Sequence, residues 1–103
     1  MMRIYIAGPM TGYENFNRKK FLKMAEDIKL MGHEPVHTAD MPEGLEYEDY
    51  MTESLKRLGA CEGVMLLNGW EGSKGANIEL KKAKELGLKI FKESEGLLCL
   101  LRS

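Results

Sequence analysis

Gly63-Val64-Met65-Leu66-Leu67-Asn68-Gly69-Trp70-Glu71-Gly72-Ser73-Lys74-Gly75-Ala76-Asn77-Ile78-Glu79 passes from an apolar run, through a glycine-rich loop, into a helix. The run Gly63–Leu67 lacks the alternation of a half-solvated strand. That is the pattern of a strand covered on both faces, and so of a central strand in a parallel sheet. In the helix, at roughly 100° per residue, Ala76, Leu80, Ala83, Leu86 and Gly87 share one arc. Glu79 falls inside that arc, between Leu86 and Ala83. A carboxylate in a first helical turn ordinarily sits in solvent and complements the helix dipole. One on the packing face, beside a loop whose unpaired N–H groups welcome anions, points to chemistry.

Outward from this block the chain alternates. Arg3-Ile4-Tyr5-Ile6-Ala7, ended by Gly8-Pro9, reads as a buried strand. A helix is expected from about Asn15 to Met31, with Phe21, Leu22, Ala25 and Ile28 inward, Asn15 as N-cap and Gly32 at C′. Glu34-Pro35-Val36-His37 is a short strand whose proline suits a strand start or an edge. Tyr47, Tyr50, Met51, Ser54, Leu55 and Leu58 mark the inner face of a second helix closed by Gly59, and Leu88–Phe91 is a fourth strand. Leu97-Leu98-Cys99-Leu100-Leu101 reads either as a fifth strand or as an apolar tail that docks on a partner. The alternation implies an α/β fold: a flavodoxin-like, Rossmann-like three-layer sandwich on a mainly parallel sheet of four or five strands, with residues 1–103 forming one domain. Such sheets bind ligands at the carboxyl ends of strands where strand order reverses. In that order, the loops Gly8–Gly12 and Gly69–Gly75 flank the switch point.

Composition excludes several classes. Net charge is −1, with Lys and Arg spread along the chain, which argues against a nucleic-acid polymer as partner. No apolar run approaches the roughly 20 residues of a membrane span. Arg3 and Ile4–Ala7 lead straight into Gly8-Pro9, so no signal peptide is expected and the expected location is cytoplasmic. Cys61 and Cys99 are too few for a disulfide framework or zinc site and read as buried thiols. No metal and no cofactor is expected.

Neither loop carries a P-loop or a dinucleotide-binding glycine fingerprint. Gly8-Pro9-Met10-Thr11-Gly12 is a turn or a ligand-facing loop. Gly72-Ser73-Lys74-Gly75 offers a hydroxyl, a cation and two close-approach glycines at a helix start, the local physics of a phosphate cradle. Tyr5 is a core aromatic or a phenol that orients Glu79. Trp70 stacks on a base or covers the core. His33 and His37, away from both loops, are structural or exposed.

Three segments together carry a resemblance: Ile4-Tyr5-Ile6-Ala7-Gly8-Pro9-Met10-Thr11-Gly12, Cys61-Glu62 before an apolar strand, and the Gly69–Ala76 loop with Glu79. They resemble the nucleoside 2-deoxyribosyltransferase superfamily, and most of all its small branch common in phages and bacteria. The resemblance implies a flavodoxin-like fold and cleavage or transfer of the N-glycosidic bond of a (deoxy)nucleoside or its 5′-monophosphate. Gly75-Ala76-Asn77-Ile78-Glu79 has the spacing of the family nucleophile, so Glu79 inherits attack on the anomeric carbon. Tyr5 matches the tyrosine that positions it. Gly8, Pro9, Met10, Thr11 and Gly12 match the segment lining the sugar and base pocket. Ser54, Asn68, Trp70, Ser73, Lys74 and Gly75 complete the expected substrate contacts. The resemblance also implies a homo-oligomer, a dimer or larger.

Two positions depart from the pattern. Ser54 stands where family enzymes carry an aspartate, seven residues ahead of Cys61. Ser73 stands where transferases acting on free nucleosides carry another, six residues before Glu79. A serine there resembles the nucleotide N-glycosidase branch, and with Lys74 it favours a 5′-monophosphate. The departing base then needs Glu62, Glu71 or a water in place of the aspartate. The alternatives are a non-catalytic nucleotide sensor or phage accessory protein on the same fold, and an interaction protein assembled through its apolar tail.

Overall fold

The computed structural model describes residues 1–42 and 44–102, except the side chains of Cys99, Leu101 and Arg102. Strands β1 (Arg3–Ala7), β2 (Glu34–Val36), β3 (Gly63–Leu66) and β4 (Lys89–Lys92) form one sheet in the order β2-β1-β3-β4. Every pairing is parallel, with Ile4 opposite Pro35 and Gly63, and Val64 opposite Ile90. This is the flavodoxin-like order, and it reverses between β1 and β3. Pro35 sits on the edge strand.

Helix α1 (Arg18–Leu30) covers one face, and α2 (Tyr47–Leu58) and α3 (Lys74–Glu85) cover the other. Ile4, Ile6, Met65, Leu67 and Phe91 pack with Phe21, Met24, Ala25 and Ile28 of α1. Tyr5, Ala7, Val64 and Leu66 pack with Leu58 of α2 and Ala76, Leu80 and Ala83 of α3. Both central strands are therefore buried on both sides, which is why the β3 run shows no alternation.

Four expectations need correction. Helix α1 starts at Arg18, three residues later than Asn15, because Asn15, Phe16 and Asn17 adopt φ of 49°, 55° and 62°. Asparagine tolerates the left-handed region, whereas a phenylalanine there carries a steric cost. Contacts hold the run in place: Asn17 Nδ2 donates to the Pro9 carbonyl at 2.9 Å, and Arg18 Nη1 donates to Asn15 Oδ1 at 2.9 Å. Leu22 is exposed and Met24 buried, since Met24 lies three residues from Phe21 on the same arc and Leu22 one residue off it. Of the two readings of Leu97–Leu101, the strand falls: among the described residues no fifth strand forms after Gly96. Leu97–Arg102 is a 3-10 helix that drops Leu100 into the α1-side core, while Leu98 stays exposed. Leu86, placed on the α3 packing arc, is also exposed, just past the end of the helix. Gly32, at φ 87°, ends α1 as the sequence suggested.

Both histidines are structural. His33 Nδ1 accepts from the Met2 N–H at 3.0 Å while Nε2 faces the Leu100 carbonyl at 3.1 Å. His37 Nδ1 accepts from the Ala39 N–H. Cys61 is a buried free thiol whose burial pushes its pKa up to about 11. The Cys99 side chain lies outside the described residues. Among the described residues no helix is long and apolar enough to cross a membrane.

Candidate functional site

The loops leaving β1 and β3 touch at the switch point. The Leu67 N–H donates to the Ala7 carbonyl at 2.8 Å. Gly8 lies so close to Leu67 that a β-carbon at position 8 would stand 2.8 Å from Leu67 Cβ. Gly69 turns the second loop at φ 92°, and a β-carbon there would meet the Tyr13 hydroxyl at 3.0 Å and Pro9 Cγ at 3.2 Å. Between the loops lies an open cleft of about 520 Å³. Pro9, Met10, Thr11 and Tyr13 line one side, Gly69, Gly72, Ser73, Lys74 and Gly75 the other, and Tyr47 of α2 the rim.

Ser73 is the N-cap of α3, its Oγ accepting the Ala76 N–H at 3.1 Å. A hydroxyl used as an acceptor keeps its own proton to donate. Asn77 Nδ2 donates to the carbonyls of Trp70, Glu71 and Ser73 and so ties the whole loop to the helix. Lys74 Nζ lies 5.3 Å from the centre of the Tyr47 ring, at the cleft mouth.

Behind the loops, the Tyr5 hydroxyl on β1 donates to Glu79 Oε2 on α3. Tyr5 is 1% exposed and Glu79 5%. Because α3 begins at Lys74, Glu79 lies beyond its first turn, where the helix dipole has faded. Of the two opposing influences on its charge, a helix start that favours it and burial that opposes it, burial dominates. It raises the Glu79 pKa to about 7, against the opposing pull of the Tyr5 hydrogen bond. Burial first, and then the Glu79 charge, hold the Tyr5 phenol well above its usual range.

Ser54 lies on α2 facing this pair. It is fully buried, and its Oγ has no hydrogen-bond partner among the described residues. It stands near enough to the Tyr5 and Tyr50 hydroxyls to favour their ionised forms, without completing a well-formed hydrogen bond. The Tyr50 hydroxyl bonds Thr38 Oγ1 at 2.6 Å and Met10 Sδ at 2.8 Å. Both tyrosines of α2, Tyr47 and Tyr50, line a second cleft of about 190 Å³ with Met10, Thr11, Thr38, Met41 and Leu45 among its walls. The two clefts adjoin through Met10, Thr11 and Tyr47.

Residues 2–92 match a family described as a domain of unknown function, DUF4406. The chain belongs to the DUF4406 family. Its fold is that of the 2-deoxyribosyltransferases. A 2-desoxiribosyltransferase from Leishmania mexicana superposes with a TM-score of 0.72 at 19% identity, covering 89% of this chain and 63% of that one. A 2-deoxyribosyltransferase from Bacillus psychrosaccharolyticus superposes with a TM-score of 0.68 at 17% identity, covering 87% and 70%. This DUF4406 chain thus spans less than two thirds of the Leishmania protein's length. No curated protein sequence matches it.

Of the substrate contacts expected for the DUF4406 chain, Pro9, Met10, Thr11, Ser73, Lys74 and Gly75 line the first cleft. Gly8 and Gly12 serve the backbone instead, Gly8 by its close approach to Leu67 and Gly12 by its φ of 84°. Trp70 packs on the α3-side core with the Lys92 ammonium 5.8 Å from its ring centre, and lines neither cleft. Asn68 is exposed and its N–H donates to Glu93 Oε1. Ser54, Tyr5 and Glu79 sit behind the cleft walls. Glu62, expected near the departing base, is at the amino end of β3 and accepts from the Arg3 N–H at 2.8 Å, at the opposite end of the sheet. Glu71 is exposed and lines neither cleft. Sequence reasoning missed Tyr13, Tyr47, Tyr50, Thr38 and Asn77. Among the described residues no three His, Cys, Asp or Glu side chains are grouped to hold a metal ion.

Proposed function

We propose that this protein cleaves or transfers the N-glycosidic bond of a (deoxy)nucleoside 5′-monophosphate, or of the nucleoside, through a covalent glycosyl intermediate on Glu79. The observation that carries this reading is the buried hydrogen bond from Tyr5 to Glu79 behind a cleft at the sheet's switch point. A carboxylate aimed by a phenol is an activated nucleophile for a retaining displacement. The likeness in fold to 2-deoxyribosyltransferases supports the same chemistry. The 5′-phosphate is assigned to Ser73, Lys74 and Gly75, where the first N–H groups of α3, the Ser73 hydroxyl proton and the Lys74 ammonium meet at one wall of the cleft. Residues 1–103 act as one domain, in the cytoplasm and as a homo-oligomer.

Free base released from deoxynucleoside 5′-monophosphates, followed by chromatography, tests the reading. Native protein releases base and Glu79→Ala does not; release that persists unchanged in Glu79→Ala sinks the nucleophile assignment.

A second reading is nucleotide binding without turnover. The observation favouring it is that the Glu79 carboxyl lines neither cleft, with Ser54 where family enzymes carry an aspartate. Calorimetry that finds nucleotide binding with no base released selects it.

A further inference from the structure

Among the described residues, the two carboxylic acids expected for the departing base stand apart from it, Glu62 at the far end of the sheet and Glu71 outside both clefts. Asp40 and Glu53 are both engaged by Arg57. Tyr50 stands where such a donor is needed. It lines the second cleft, which adjoins the first through Met10, Thr11 and Tyr47, away from the Ser73–Gly75 wall. It is one helical turn from Ser54, on the face of α2 that meets the Tyr5–Glu79 pair.

We propose that the Tyr50 phenol is the hydrogen-bond donor to the departing nucleobase, an assignment that rests on the reading of Glu79 as glycosyl nucleophile. A phenol has one proton; Met10 Sδ, 2.8 Å away, can only accept it, whereas the Thr38 hydroxyl can donate or accept. A thioether sulfur is a weak acceptor, so a ring nitrogen or carbonyl oxygen of a base displaces it readily. With that proton directed at sulfur, the buried Thr38 hydroxyl is left as donor to the phenol oxygen at 2.6 Å. A donor on the phenol oxygen polarises the O–H and strengthens its own donation. The unpaired, fully buried Ser54 Oγ is a second sign that polar atoms gather here beyond the needs of packing.

The step balances. A Glu79 oxygen forms a bond to C1′ as the C1′–N bond breaks, and the bonding electron pair stays on the base. Tyr50 hydrogen-bonds the base as this negative charge develops, and water supplies the proton that leaves with it. A second water, or an incoming base, then attacks C1′ and frees the Glu79 carboxylate. Tyr50 ends the cycle with its own proton.

The role predicts a dependence on leaving group. Turnover of 2′-deoxyadenosine 5′-monophosphate is compared with that of the same sugar phosphate carrying 4-nitrophenolate, which departs without a donor. In Tyr50→Phe the ratio of adenine to nitrophenolate release falls on the order of 100-fold, the scale of one lost hydrogen-bond donor to developing negative charge. Thr38→Val keeps the phenol, removes its donor and lowers the same ratio by roughly several-fold. It decides the matter if Tyr50→Phe does not fold. Equal losses on both substrates, in whichever variant folds, overturn the Tyr50 role. If Glu79→Ala abolishes both releases while those ratios stay put, only Tyr50 is misassigned. If Glu79→Ala keeps both, the glycosyl reading falls and takes this role with it.

Discussion

Tyr5 and Glu79, 74 residues apart in sequence, meet as donor and acceptor where β1 passes beneath α3, both shut away from solvent. The acid gains an oriented partner and loses its hydration. Burial is the larger effect, and the Glu79 pKa rises to about 7 from an ordinary 4.5.

Stability therefore carries a pH signature. The unfolded carboxyl releases its proton near pH 4.5, whereas the native one holds it to about pH 7. Between these values the native state binds more protons, so the contribution is full below pH 4.5 and is lost as pH rises through 7. By the usual conversion the loss is roughly 3 kcal/mol. Urea unfolding at pH 5 and pH 8 checks it: the native protein weakens over that interval relative to Glu79→Gln, which cannot titrate. Parallel curves for the two proteins would rule the assignment out.

Tyr5→Phe removes the one interaction that pulls the Glu79 pKa down. The acid limb of the pH–rate profile for base release moves to higher pH. Turnover at neutral pH drops roughly 10- to 100-fold, the scale of a hydrogen bond to a charged group. A profile whose midpoint does not move contradicts a positioning role for the phenol.

Gly8→Ala tests the contact between the two site loops. Its new β-carbon meets Leu67 Cβ at 2.8 Å and Leu67 Cδ1 at 2.9 Å. Overpacking of this kind costs about 1–3 kcal/mol. Adding Leu67→Ala relieves part of the clash, so a double-mutant cycle reads a coupling of opposite sign to the single loss. Additive effects would show that the two loops do not press on each other.

Ser54→Ala deletes a buried oxygen that has no partner. An unsatisfied buried polar group costs about 1–3 kcal/mol, so this variant is expected to be as stable as the native protein or about 1 kcal/mol more stable. A fall in the denaturation midpoint would mean that the oxygen holds a bound water or ligand.

Much of the fold was legible because its signals are local. The unbroken apolar run of β3, the Gly8-Pro9 stop after β1 and the helical spacing of Ala76, Glu79, Leu80 and Ala83 each depend on neighbours in sequence. The misreadings arose where a contact from elsewhere decides. Three left-handed residues delay α1, held in part by the distant Pro9 carbonyl. The apolar run after Gly96 packs Leu100 into the α1-side core and does not extend the sheet. Tyr47 and Tyr50 carried the spacing of an inward helix face, and the cleft they also line is set by distant loops. Ser73 is the N-cap of α3, and cap residues and anion ligands are the same residue types at the same place, so the sequence does not separate the two uses.

His33 joins what the chain order keeps apart. One imidazole receives the Met2 N–H on one nitrogen and faces the Leu100 carbonyl with the other. The first strand and the final turn are thus moored side by side at the amino edge of the sheet, the side away from both clefts. A fluorophore, an affinity handle or a surface tether fixed near either end projects away from the site.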